Sequence, residues 1–296
     1  ALATSLISLS SGSMRPTFDR GLSDRRRRPL TLNDRPPAFS PMAVNPLNNR
    51  RERDLTGNAE AIRLLEGLAA ENPSVAQYQL DLARAHRDRM RLSRLLGKQS
   101  DFDASLATAT TILRTLLDQT PDSALLKYEL ANLYAGSLTS TADDGHQLDQ
   151  ALKLIQEVLA EYPLVPEYQT LHASLLARSA WTVPTTSEFP LERQLERAEG
   201  GTTKLQQAIA IQQGLVERFP DIPIYAINLL LTKVQLSEFY LQFRRPEKAK
   251  LALADAITLA EKLLASNASR QPVIRVILDR LRERKAALDG RAESSS

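Results

Sequence analysis

ATTILRTLLDQTP, from Ala109 to Pro121, is the stretch from which the fold is read. It opens on a small residue, carries apolar side chains at Ile112, Leu113, Leu116 and Leu117, and stops at proline. Four other stretches align with it without gaps: AIRLLEGLAAENP (61–73), ALKLIQEVLAEYP (151–163), AIAIQQGLVERFP (208–220) and AITLAEKLLASNA (256–268), the last with Ala268 in the proline position. The opening alanine suits a helix crossing, where only a small side chain lets two backbones approach closely. Leu68, Leu116, Val158, Leu215 and Leu263 lie seven residues on, two turns along the same face. Proline then ends the helix, because its ring disfavours helical geometry in the residue before it. Five residues past that position stands a larger side chain, Tyr78, Leu126, Tyr168, Tyr225 or Val273. Ten past it stand Ala83, Ala131 and Ala173, then Leu230 and Leu278. The pattern predicts an all-α chain in which each helix turns at proline into an antiparallel partner. One hairpin leaves an apolar face bare, so the next must cover it.

Composition agrees with helices. Aromatics make up 5% of the chain, and the other apolar residues are mostly Leu and Ala, which favour helix over strand. The absence of cysteine excludes disulfides, thiolate metal sites and a cysteine nucleophile. No run approaches the roughly 18 apolar residues of a membrane span. Ala1 to Leu9 reads either as the tail of a span or signal segment or as an ordinary unstructured start. Residues 1–53 hold ten arginines against four acids and six of the sixteen prolines, so they are expected to be a disordered basic linker. Residues 54–290 hold 27 Lys and Arg against 30 acids and form the repeat domain, followed by a short disordered tail over 291–296. The net charge of +3 therefore belongs to the arm, not to the folded body.

Ala61…Pro73…Leu82-Ala83 and Ala109…Pro121…Leu130-Ala131 resemble the tetratricopeptide (TPR) pattern, and Ala151…Pro163…His172-Ala173 follows it with His in place of Leu. The resemblance covers about residues 58–283. The period departs from the family's. The alanines at 61, 109, 151, 208 and 256 are 48, 42, 57 and 48 residues apart, against about 34 in a standard TPR. The extra residues fall between the two helices of a unit, so both helices have room to be longer. The segment Phe219-Pro220-Asp221-Ile222-Pro223…Arg245-Pro246-Glu247-Lys248-Ala249 looks like the extended repeats found beside bacterial Ser/Thr kinases and in membrane-anchored signalling regulators. The resemblance implies a right-handed α-solenoid of about five antiparallel hairpins. It also implies a non-enzymatic scaffold or sensory module that binds another protein or peptide, in the bacterial cytoplasm or tethered to a membrane by a segment ahead of residue 1.

No motif carries catalysis. Gly97-Lys98 lacks the surrounding residues of a phosphate-binding loop. His86, His146 and His172 have no paired-ligand spacing, and Asp143-Asp144-Gly145-His146 lacks the later ligands of a calcium loop. No cofactor, metal or small-molecule substrate is expected. Arg84, Arg87, Arg91, Arg94 and Lys98 recur at steps of three and four, opposite an expected buried face of Tyr78, Leu82, Ala85, Leu92 and Leu96. This strip reads either as a trap for an acidic peptide or phosphate or as a solvated helix face balanced by Asp81 and Asp88.

TPR grooves are lined by the first helix of each hairpin. The matching positions are Gln77, Leu80, Arg84 and Arg87; Leu125, Tyr128 and Asn132; Glu167, Thr170, Ser174 and Arg178; and Ile224, Ile227 and Leu231. Leu80, Tyr128 and Thr170 occupy the positions where chaperone-binding TPRs place lysine, so a carboxylate clamp is not supported. Arg84, Arg87, Arg91, Tyr128, Asn132, Ser174, Arg178, Ile227 and Leu231 are candidate partner contacts. Trp181, the sole tryptophan, is a candidate contact or a core residue, and Gly200-Gly201 a hinge or a helix boundary. Gln271 to Leu288 is expected to cap the array, with Ile274, Ile277, Leu278 and Leu281 turned inward. The alternative function rests on the arginine-rich arm, which suits nucleic acid or anionic membrane, although a linker is the simpler reading and nucleic acid is disfavoured.

Overall fold

The computed structural model describes residues 46–138, 144–181, 191–266 and 271–293. Among these residues there are ten helices and no strand. They are α1 (Pro46–Glu71), α2 (Ala76–Leu95), α3 (Gln99–Gln119), α4 (Ala124–Ser137), α5 (Asp144–Glu161), α6 (Pro166–Ser179), α7 (Leu191–Arg218), α8 (Pro223–Gln242), α9 (Pro246–Ala265) and α10 (Gln271–Glu293). Two expected boundaries move. The first helix begins at Pro46, inside the segment read as linker, because proline is well placed at a helix start, where its missing N–H costs nothing. The last helix runs past residue 290 to Glu293. The rest of the arm, residues 1–45, lies outside the described residues, as does Ala268.

One turn recurs at the prolines. Val75 N–H donates to Asn72 O, Ser123 to Thr120 O, Val165 to Tyr162 O and Ile222 to Phe219 O. Each closes a β-turn with Pro73, Pro121, Pro163 or Pro220 at its second position, where a φ fixed near −65° is wanted. The donor is in each case also the residue at the N-cap position of the next helix, where Ser123 accepts from Leu126 N–H through its side chain and Val75, Val165 and Ile222 make no such bond. The opposite turns use another device. At the end of α2, Lys98 N–H donates to Ser93 O and Gly97 N–H to Arg94 O, with Gly97 at φ 69°. At the end of α8, Arg245 and Arg244 bond to Tyr240 O and Leu241 O in the same way, with Arg244 at φ 54°. These are Schellman motifs, in which a left-handed residue satisfies the orphaned carbonyls of the last turn.

Consecutive helices pack against one another along the whole chain, which makes the protein an all-α solenoid. In addition α2 packs on α4, α4 on α6, and α6 on α8, whereas the odd-numbered helices stand farther apart, with Arg114 of α3 reaching Gln150 of α5 at 3.5 Å. The even helices therefore form the crowded inner layer and the odd ones the splayed outer layer. The 48-residue steps put their added length into helix, with 20 and 21 residues in α2 and α3 and 20 each in α8 and α9. In the 42- and 57-residue steps the inner helices α4 and α6 have only 14 residues each.

The repeat register is a burial register. Ala109, Ala151, Ala208 and Ala256 are fully buried, and so, nearly, are Leu116, Val158, Leu215 and Leu263. All five positions ten residues past the turn are buried, alanine or leucine alike. Only the first unit departs. Ala61 is exposed and Leu68 keeps 40% of its surface, because no described helix precedes α1 to cover that face. At the other end α10 buries Ile274, Ile277, Leu278 and Leu281 and shows Arg275, Asp279, Arg282 and Glu283 to solvent beside the exposed Val276.

Gly200-Gly201 proves to be neither hinge nor boundary, since both residues lie inside α7. Gly201 is buried, and a Cβ there would sit 2.2 Å from Phe239 Cζ, so the phenyl ring of α8 rests on the bare backbone of α7. A Cβ on Gly200 would meet nothing. Gly201→Ala should therefore cost about 1–3 kcal/mol of stability by overpacking, whereas Gly200→Ala should add about 0.5–1 kcal/mol through helix propensity. Denaturant midpoints of the two variants check the pair; equal shifts in one direction would contradict the packing.

Candidate functional site

The inner layer is where a partner would meet residues from several units at once, and the basic strip of α2 faces α4 within it. Arg84 Nε donates to Glu129 Oε1 at 2.7 Å, and Arg87 Nη1 bonds the other oxygen, Oε2. Glu129 is 5% exposed and is the one acid in α4. Burial works against the Arg84 charge, but the hydrogen bond and charge of Glu129 outweigh it, and its pKa is raised. One turn on, Arg91 Nη2 donates to Asn132 Oδ1 at 3.1 Å. Burial, then the neighbouring charge of Arg87, lowers the Arg91 pKa, and burial lowers that of Arg94.

Arg94 Nη1 donates to Gly136 O at 2.8 Å and to Leu138 O at 3.4 Å. From the other side Arg178 Nη1 of α6 donates to Ala135 O at 2.6 Å and its Nη2 to Leu138 O at 3.2 Å. The carbonyl end of α4 is thus held by two cations from its two inner-layer neighbours. Such an end carries unpaired acceptors and partial negative charge, and cations there are favourable. The strip is partly internal and partly a solvated face: Arg84, Arg87, Arg91 and Arg94 all bind α4, as does Arg178 of α6, while Arg84 also pairs with Asp81 and Arg87 with Asp88, and Arg91 and Arg94 stay exposed. The face expected to be buried opposite it is also incomplete. Leu80, Leu82, Ala83, His86, Met90 and Ser93 are the buried residues of α2, spread around the helix because α1, α3 and α4 all pack on it.

Beside this network lies a cleft of about 320 Å³, lined by Tyr128 and Asn132 of α4, Glu167, Thr170, Leu171 and Ser174 of α6, and Tyr225 of α8. Tyr128 lies against Tyr168 with ring centroids 5.0 Å apart and planes tilted by 45°, and burial, then the charge of Glu129, raises its phenol pKa. Thr170 Oγ1 donates to Pro166 O at 2.7 Å and Ser174 Oγ to Leu171 O at 2.8 Å, so both hydroxyls keep acceptor capacity. The bond from Arg91 occupies Asn132 Oδ1 and leaves the amide Nδ2 as the donor at the cleft. Glu167 supplies a negative charge. The cleft can hold an extended chain with an apolar or basic side chain.

The structure divides the candidate contacts. Tyr128, Asn132 and Ser174 share the cleft with Glu167 and Thr170. Arg84, Arg87, Arg91 and Arg178 form the ion-pair and carbonyl network next to it. Ile227 and Leu231 are removed from any groove, at 5% and 7% exposure, because they pack with Leu253, Ile274 and Leu278 under α9 and α10. Trp181 stands edge-on to Phe239, centroids 5.4 Å apart, and away from the cleft. Sequence reasoning missed Glu129; the signal was a lone carboxylate in an otherwise apolar helix facing an arginine strip. A second cleft of about 410 Å³ lies between α5, α6 and α7, lined by Gln156, His172, Leu176, Gln207, Ala210 and Ile211. Among the described residues no group of three His, Cys, Asp or Glu could hold a metal, and no helix is long and apolar enough to cross a membrane.

No protein-family model matches the chain, and no curated protein does. Among solved structures, a thermophilic TPR protein of Thermus thermophilus is similar, at 19% identity over 82% of this chain and 95% of that chain, with a TM-score of 0.37. The solenoid assignment rests on the packing within the chain itself.

Two outcomes test this electrostatic account. Glu129→Gln leaves Arg84 and Arg87 only the more exposed Asp81 and Asp88 and should cost about 1–3 kcal/mol, read by denaturant unfolding. The second concerns His86 and His172, whose pKa values are lowered first of all by burial. His86 is 9% exposed and neither ring nitrogen has a partner. The unfolded chain then takes up protons first, so stability is complete above the unfolded pKa near 6.5 and falls as pH drops through it. The slope is at most about 1.4 kcal/mol per pH unit for each histidine. His86→Leu should flatten the decline in melting temperature between pH 7 and pH 5.

Proposed function

We propose that the chain is a protein–protein interaction scaffold without catalytic activity, which holds an extended peptide segment of a partner in the cleft between α4 and α6. The observation that carries this reading is the cleft itself: residues from three successive inner helices converge on it, and the arginine network fixes its α4 wall from behind. Two tyrosines, a carboxylate, an oriented amide and two hydroxyls offer stacking, charge and backbone recognition together, as peptide grooves require. Preformed walls lower the ordering cost of binding. The finer assignment is to the sensory or scaffolding part of a bacterial signalling protein, held at a membrane by a segment ahead of residue 1. It rests on the sequence resemblance alone.

Peptides selected on the intact protein from a displayed library should bind in the micromolar range by fluorescence anisotropy. Ser174→Arg fills the cleft and should weaken them by about tenfold or more, equivalent to about 1.4 kcal/mol, with melting temperature unchanged. Asp279→Arg, on the outer surface of α10, should leave affinity as it is. Selected peptides that bind the Ser174→Arg protein as well as the wild type would overturn the assignment of the cleft.

A further inference from the structure

We propose that two copies of this chain pair through the outer face of α1, antiparallel about a two-fold axis. Gly57, Ala61, Leu64 and Leu68 follow one another at steps of four, three and four residues, which sets them on one stripe of the helix. All four are exposed, Leu64 at 53% and Leu68 at 40%. Ala61 and Leu68 occupy the register that every later outer helix buries: Ala109 with Leu116, Ala151 with Val158, Ala208 with Leu215, and Ala256 with Leu263. In those units the preceding inner helix packs on the outer one, and no described helix precedes α1. The face has the side chains of a helix–helix contact and lacks the second helix.

The stripe fits its own copy. In an antiparallel pair of α1 helices a two-fold midway between Ala61 and Leu64 sets each Leu64 opposite Ala61 and each Leu68 opposite Gly57, large against small along the seam. Gly57 leaves room on the seam for the opposing Leu68, and a Cβ there would meet nothing within 4 Å in the single chain. Charge agrees with shape. Arg53 and Glu71 are both exposed and flank the stripe on the same side at its two ends, so the two-fold brings Arg53 of each copy beside Glu71 of the other. The outer surface of α10 is the poorer match for α1, because beside its exposed Val276 it carries Arg275, Asp279, Arg282 and Glu283. A head-to-head pair covers the stripe on both copies and closes on itself. This face is remote in sequence from the cleft between α4 and α6, and the two assignments stand or fall separately.

Sedimentation equilibrium or light scattering of the full chain at tens of micromolar should give about twice the 32.9 kDa chain mass. Leu64→Asp with Leu68→Asp should give a monomer of unchanged helicity, since neither side chain belongs to the buried core. Arg53→Glu and Glu71→Arg should each raise the dissociation constant about tenfold, and the double exchange, which restores opposite charges across the two-fold, should recover dimerisation. Removing residues 1–45 should leave the dimer intact. A monomer at all concentrations, a dimer indifferent to the leucine substitutions, or a full-length monomer that dimerises only once residues 1–45 are removed would each overturn the proposal, the last by showing that the arm itself covers α1.

Discussion

Every inner helix of this protein carries apolar residues on more than one side, and a single hairpin can bury only one of them. That constraint dictates the rest. α2 has buried residues around much of its circumference because α1, α3 and α4 each take a share. The same demand passes down the array until α10, where the apolar stripe ends in a charged outer surface. The turns serve this stacking. A proline at the second position of a β-turn, and a left-handed residue at the opposite end, reverse the chain within three or four residues, so that successive helices lie side by side rather than end to end.

The fold was largely legible because its determinants are local and periodic. Alanine at a crossing, proline twelve residues later and a buried position ten beyond that can be counted without knowing any tertiary contact. What could not be counted is which neighbour a face will meet. Ala61 shares its pattern with Ala109 but not its burial, since a sequence records the shape of a helix and not the presence of the helix beside it. The same limit governs Gly201. Its place within a helical stretch looked like an interruption, and only the ring of Phe239, some forty residues on, supplies the reason for it.

The candidate site divides along that line as well. Positions counted from the proline turns found Tyr128, Asn132, Glu167, Thr170 and Ser174, because inner-helix geometry repeats from unit to unit. They failed for Ile227 and Leu231, where α9 and α10 close over the same face. Spacing showed that the arginines of α2 share a side but not what that side meets. A buried glutamate 42 residues beyond Arg87 draws Arg84 and Arg87 inward, while Arg91 and Arg94 of the same strip stay exposed. Breaking such a buried pair costs more than its formation adds, so the carboxylate and the two guanidinium groups are best viewed as one structural unit.

The carbonyl end of α4 receives Arg94 from one side and Arg178 from the other, and this has a mechanical consequence. Helices that touch only through apolar side chains can slide or splay with little directional resistance, whereas a guanidinium bonded to fixed carbonyls resists displacement in a defined direction. The inner edge from α2 through α6 is therefore stitched into a stiff plate. Between α6 and α8 the packing is chiefly apolar among the described residues. Arg284 of α10 bonds Glu238 of α8 at 2.9 Å in the same manner, so if the two ends of this array are pulled apart or wound together the compliance lies between α6 and α8, and the array behaves as two stiffer segments joined by a softer seam.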